Sequence, residues 1–256
     1  MRNINFNQSP ERRSMAKAWL ILDRKAVESM SLNEHETAYL NKQSEENSLV
    51  VINRYTELIL VVYCDNTKDK GAFLEQCRRR GNEISWILRK DAITQIDLMV
   101  SSTDPDGIFA LAEGLSLGSY QFLKYQSSSA KKQWNLDQIN FVGTNISQNQ
   151  IDQLAVMVEA VFIARDLVNE PGSHLNSVKL AESFQAMGEA SGFESVIFDK
   201  ELIKALNMGG LLAVNQGSID PPTFSVLKWK PAYAKNLNPI VLVGKGVVYD
   251  TGGIEP

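Results

Sequence analysis

Apolar positions in the first 145 residues fall into short runs separated by amphipathic stretches. Residues 18–22, 49–52, 58–62 and 96–100 are rich in Ile, Val and Leu and predict strands. Residues 33–43 and 72–88 repeat at helical spacing. In the second stretch Phe73, Cys77, Ile84, Trp86 and Ile87 form the predicted apolar face, and Gly81 interrupts it. Asp104, Pro105 and Asp106 carry N-cap chemistry and open a helix expected to reach about Leu117. Residues 125–133 are polar and Ser-rich, which predicts a loop, and residues 139–142 read as a last strand of this region. Strands interleaved with helices predict an α/β domain with a mostly parallel or mixed sheet.

From about Ser147 the pattern changes. Ile151, Leu154, Ala155, Val158, Val161, Phe162 and Leu167 recur at helical spacing, and Asn169-Glu170-Pro171-Gly172 breaks the run. A helix of about 20 residues is about 30 Å long and can link two domains. Beyond it the pattern predicts a helix over 177–187, a strand over 195–198 and a short helix over 200–206. Three apolar runs follow at 211–214, 224–229 and 240–243. The expected architecture is α/β throughout: an N-terminal domain over 1–147, a linking helix over 148–168, and the beginning of a second α/β domain over 169–256.

Composition narrows the function classes. With 44% hydrophobic and 22% charged residues, the chain can build a sizeable core. A net charge of -4 and a pI near 5.4 give no reason to expect a nucleic-acid partner or an anionic membrane. The one basic run, Arg78 to Arg80 with Arg89 and Lys90, reads as a solvated helix face. Cys64 and Cys77 are too few for a disulfide framework, and Cys64, which ends an apolar run, reads as a buried thiol. The N-terminus lacks a signal-length apolar stretch, and no run approaches ~18 apolar residues. The expectation is a soluble, cytoplasmic protein.

The densest chemistry lies in residues 240–253, IVLVGKGVVYDTGG. The run IVLV reads as a buried parallel strand delivering Lys245, between two glycines, to a strand end where α/β sheets bind ligands. Asp250 follows after three apolar residues and leads into Thr-Gly-Gly. A lysine and an aspartate so placed can form a structural ion pair, bind phosphate, or ligate metal. Gly244-Lys245-Gly246 is not a P-loop, because no Gly lies five residues before it and no Ser or Thr follows the lysine. Asp250-Thr251-Gly252 matches the aspartic-protease triplet, but a second copy would have to come from a dimer. His35, in a polar helix, and His174, after the helix stop, are too few for a His-based site.

Two further motifs precede this one: ARDLVNEPG from Ala164 to Gly172, and MGGLLAVNQGS from Met208 to Ser218, trailed by Pro221-Pro222. Taken together with VGKGVVYDTGG they resemble the leucyl aminopeptidase family of hexameric, two-metal exopeptidases. The resemblance implies an N-terminal domain like a macro domain, a linking helix and a catalytic domain. It places Lys245 and Asp250 among the ligands of two divalent ions, zinc or manganese, with peptides as substrates. Two dications depress the lysine pKa far enough for it to ligate, and a bridging aspartate holds them ~3.5–4 Å apart. For the upstream motifs a structural role is expected: Asn169 to Gly172 stop a helix, Arg165-Asp166 pair or cap near it, and Gly209, Gly210 and Gly217 permit close backbone packing.

The same resemblance implies that no catalytic residue lies within the chain, since the expected catalytic lysine would follow Pro256. Glu255 and Pro256 depart from the family pattern, so the chain is expected to be truncated and inactive alone. The alternative is a non-catalytic binding or regulatory module built on the N-terminal domain. Gly107, Gly114 and Gly118 are isolated, so no glycine-rich loop there supports a nucleotide.

Overall fold

The computed structural model describes residues 4–9, 14–65, 69–100, 105–127 and 133–246, which divide into two compact units, Met1–Arg165 and Asp166–Pro256. The fold is α/β. The first unit contains strands β1 (Asn5–Ser9), β2 (Ala16–Ile21), β3 (Leu49–Asn53), β4 (Leu58–Tyr63), β5 (Gln95–Val100) and β6 (Gln138–Val142). They form one sheet in the order β1-β6-β5-β2-β4-β3, parallel except for the β3–β4 pair. Its helices are α1 (Glu34–Gln43), α2 (Lys70–Lys90) and α3 (Pro105–Gly118), and α4 (Gln148–Asn169) runs across the division.

The central strands read as unbroken apolar runs because both of their faces are covered. Ala16, Ala18 and Leu20 of β2 and Leu58, Leu60 and Val62 of β4 point to one core, shared with α2, α3 and Ile151, Leu154, Val158 and Phe162 of α4. The alternate residues Trp19, Ile21, Ile59 and Val61 point to a second core with Met30 and Leu40. The sheet is therefore the middle of three layers.

Gly81 corrects the predicted face of α2. It is buried in the same stripe as Phe73, Cys77, Ile84 and Leu88, while Trp86, assigned to that face, is 61% exposed. A Cβ at Gly81 would stand 2.1 Å from the Leu111 carbonyl oxygen, and one at Gly114 would stand 1.9 Å from that of Arg78. The two glycines let the backbones of α2 and α3 touch. What reads as an interruption along one helix is the contact point between two.

One buried polar group threads the sheet. Asp97, fully buried on β5, accepts from the Ser14 N–H (3.0 Å), the Ser14 hydroxyl (2.6 Å) and the Asn140 amide (2.8 Å). These bonds tie Ser14, two residues before β2, to β5 and β6, and satisfy a carboxylate that burial would otherwise penalise. Just after the edge strand β3, Arg54 joins Glu36 (2.6 Å), Glu57 (2.7 Å) and the Ser31 carbonyl (2.8 Å), and Lys17 also pairs with Glu57. The hydrogen bond from Arg54 holds the Glu36 carboxyl down at about 2. Cys64 and Cys77 are free thiols, both buried, and the hydrogen bond with Cys77 lowers the Cys64 thiol from its usual range. The basic run of α2 is an ion-paired surface, with Arg78 on Glu113 (2.7 Å), Arg79 on Glu75 (3.0 Å) and Arg80 on Glu83 (2.6 Å).

The second unit is thinner. Helix α5 (Ser177–Ser191) is capped by Asn176 and ends at Gly192, whose φ of 75° suits the left-handed C-terminal turn. Strands β7 (Glu194–Phe198) and β8 (Phe224–Lys228) form an antiparallel pair, and between them lie α6 (Lys200–Ala205) and α7 (Gly209–Val214). The apolar run 211–214 thus lies in a helix. Among the described residues of this unit, Ala181 and Ile203 are the buried aliphatic side chains. Of the sequence expectations, the N-cap at Asp104 and most of the Ser-rich loop lie outside the described residues.

Two predictions concern the first unit. Gly81→Ala should destabilise it by about 3 kcal/mol, because the added methyl meets backbone and not a movable side chain. Calorimetry should show a midpoint lower by roughly 6–12 °C. The second concerns acid. Glu36 has a folded pKa below its unfolded value, so its contribution is complete above about pH 5 and fades as pH falls toward 2. Glu36→Gln should remove about 1–2 kcal/mol at pH 7, allowing for partial solvent screening, and flatten the stability profile between pH 5 and 2 in urea titrations.

Candidate functional site

The first motif ends α4. Asn169 is its last residue, the Glu170 N–H bonds the Asp166 carbonyl (3.1 Å), and the N–H groups of His174 and Leu175 close a turn on the Pro171 carbonyl. Arg165 donates to the Leu117 carbonyl at 2.8 Å and stacks 3.9 Å over the Tyr120 ring. Its guanidinium thereby serves the C-terminal end of α3, 48 residues away in sequence. No sequence signal marked that partner.

The second motif forms α7 and the 3-10 turn Asn215–Gly217. Apart from their own helix and chain neighbours, no described atom lies within 4 Å of a Cβ built on Gly209 or Gly210, so among the described residues these glycines do not serve the close packing expected of them. They start a helix that lacks a side-chain cap. Asn215 donates to the Asp220 carbonyl (2.8 Å) and Asn176 to the Asp220 carboxylate (3.0 Å), while Thr223 donates to the Ser177 carbonyl (3.1 Å). The loop before β8 is thus fastened to the first turn of α5. A groove of about 340 Å³ lies there, lined by Val178, Ala181, Ile197, Asp199, Pro221 and Thr223.

The third motif departs most from expectation. Residues 240–243 are not a buried parallel strand. They have no assigned secondary structure, and their side chains are 73–95% exposed. The reason is pairing: among the described residues the sheet of this unit has two strands, and neither bonds to 240–243. Lys245 follows on the same exposed segment, and a Cβ at Gly246 would meet Leu180 at 3.3 Å. Asp250 lies outside the described residues. His35 and His174 are both exposed, and among the described residues no three His, Cys, Asp or Glu side chains cluster as a metal site would need. No described helix is long and apolar enough to cross a membrane.

Residues 162–255 match the model of the cytosol aminopeptidase family, catalytic domain. Among curated relatives, a probable cytosol aminopeptidase of Chlorobaculum tepidum is 40% identical over 167 residues, covering 60% of this chain and 33% of that protein. One from Chloroherpeton thalassium is 50% identical over 93 residues, 36% of this chain and 18% of its own length. One from Exiguobacterium sibiricum is 30% identical over 212 residues, 83% and 43% respectively. The chain therefore spans less than half the length of these relatives. A tomato leucine aminopeptidase mutant shares the fold with a TM-score of 0.70 at 18% identity, covering 88% of this chain and 50% of that one. The bottromycin maturation enzyme BotP in complex with Mn does so with a TM-score of 0.67 at 18% identity, covering 86% and 46%. All three motifs fall inside the matched segment, and over residues 162–255 the chain belongs to the cytosol (leucyl) aminopeptidase family.

Proposed function

We propose that this chain acts within a metal-dependent aminopeptidase that releases N-terminal residues of the leucine type from peptides. The supporting observation is the match of residues 162–255 to the family's catalytic domain, which takes in both Lys245 and Asp250. On this reading Lys245 and Asp250 are metal ligands. Residues 1–147 form the N-terminal domain, 148–168 the linking helix and 169–256 the start of the catalytic domain. The assembly is a cytoplasmic homo-oligomer, a hexamer, that uses zinc or manganese.

The described residues do not by themselves fit a metal pair. Lys245 is on an exposed segment, and the described carboxylates, histidines and thiols form no cluster of three. A fixed site needs three or four protein donors held by surrounding structure. Of the donors a metal pair needs, Lys245 and Asp250 are the two this reading assigns, in a chain that spans less than half the length of the relatives it matches. Binding two divalent ions would supply Lewis-acid activation of water and carbonyl; this chain's own part is to deliver one amine and one carboxylate from a glycine-flanked segment.

Hydrolysis of leucine 4-nitroanilide tests this. The 256-residue chain with Mn2+ or Zn2+ should show no chelator-sensitive rate above buffer. Encoded in one polypeptide with the rest of a family catalytic domain, it should become active. Lys245→Ala and Asp250→Ala should then each lower kcat/KM at least ~100-fold, as expected for loss of a metal donor. Chelator-sensitive turnover by the 256 residues alone would contradict the need for donors besides Lys245 and Asp250. A joined protein indifferent to both substitutions would remove the metal role.

A further inference from the structure

Helix α2 carries one guanidinium that its ion-paired surface does not account for. Arg78, Arg79 and Arg80 each meet a carboxylate, but among the described residues none pairs with Arg89. Its guanidinium carbon sits 5.8 Å from the centre of the Trp86 ring, at the outer reach of a cation–π contact. Trp86 is exposed, whereas Trp19 and Trp134 of the same unit are buried. The two side chains border a groove of about 630 Å³ that also takes in Arg79 and Asn82 of α2, together with Leu117 and Arg165. All of them belong to the first unit. Positions 79, 82, 86 and 89 advance by steps of three and four, so they share one face of α2 over ~15 Å.

The residue types decide what this groove can hold. A guanidinium beside an indole keeps its fork of N–H donors free for a carboxylate, while the ring offers apolar area. Tryptophan and arginine are also the side chains that dominate the energetics of protein interfaces. Glu75 and Glu83 line the same groove, and the Asn82 amide adds a donor and an acceptor. A nucleic-acid backbone brings acceptors alone and meets both glutamates as like charges. A peptide brings both kinds of group: a side-chain carboxylate for Arg89, backbone N–H donors for Glu75 and Glu83, and an apolar side chain to cover Trp86. We propose that the groove binds a short extended peptide segment with an acidic residue at Arg89 and an aromatic or aliphatic one at Trp86. At ~3.3 Å per residue, about five residues span the face. The inference does not depend on a metal role for Lys245 and Asp250.

The test is fluorescence polarisation with the intact 256-residue chain and labelled, N-acetylated pentapeptide amides built from Asp, Glu, Phe, Leu and Gly. Acetylation removes the free amine that an aminopeptidase needs, so failure here leaves the aminopeptidase reading standing. Peptides that combine an acidic with an aromatic or aliphatic residue should bind with a Kd of ~10–100 μM, and the same set with Lys for Asp and Glu at least ~10-fold more weakly. Trp86→Ala and Arg89→Ala should each weaken binding at least ~5-fold. Lys90→Ala removes the neighbouring exposed cation, which does not line the groove, and should change binding less than ~2-fold. The thermal midpoints of all three variants should stay near that of the parent, since these side chains are not in the core. Should a variant fail to fold, the preference of the unaltered chain for acidic over Lys peptides decides the matter. The inference is overturned if no peptide binds with a Kd below ~1 mM, if Trp86→Ala leaves binding unchanged, or if Lys90→Ala weakens it as much as Arg89→Ala. A duplex oligonucleotide that displaces the peptide and binds more tightly would overturn it in favour of nucleic acid. Dimerisation of the chain that Trp86→Ala abolishes would overturn it in favour of a second copy.

Discussion

A strand whose two faces are both apolar needs covering layers above and below it and hydrogen-bonding neighbours along its edges. The first unit meets that demand in full. β2 and β4 alternate their side chains between two cores, and each lies between two paired strands. The second unit supplies the same kind of segment at 240–243 and leaves it exposed. The contrast between the two units follows from this one requirement, and so does the exposed position of Lys245.

Within the first unit the layers are held by a few close fits. Where α2 crosses α3, Gly81 and Gly114 remove the side chains that would keep the backbones apart. Asp97, Ser14 and Asn140 form a buried polar knot across β5, β6 and the entry to β2. α4 closes the core with four apolar residues, and near its C-terminal end Arg165 reaches the last turn of α3. The first motif of the family segment thus contributes to packing through Arg165.

The interior strands of the first unit were legible because burial on both faces writes an uninterrupted aliphatic run into the chain, as at 58–62, whereas β1, polar and largely exposed, carried no such run and was not read. The helices over 33–43 and 177–187 were legible from their apolar spacing, and the local caps at Asn33 and Asn176 fix where they start. Gly81 was misread because its meaning depends on Gly114, a residue on another helix. The Asp97 knot was invisible for the same reason: its partners are 83 and 43 residues away in sequence. At 240–243 the composition of a strand was read correctly, but pairing is non-local, and composition alone could not supply the neighbour. The half-site was legible as a motif, and the two donors proposed from it, Lys245 and Asp250, are fewer than a metal pair needs.

The exposed state of 240–243 is most directly measured by amide hydrogen exchange on the 256-residue chain alone. The amides of β2, β4 and β5 should exchange only through global unfolding, while those of 240–243 should exchange near the rate of an unstructured peptide. Protection at 240–243 comparable to that of β4 would show that the segment is already covered, and would contradict the account.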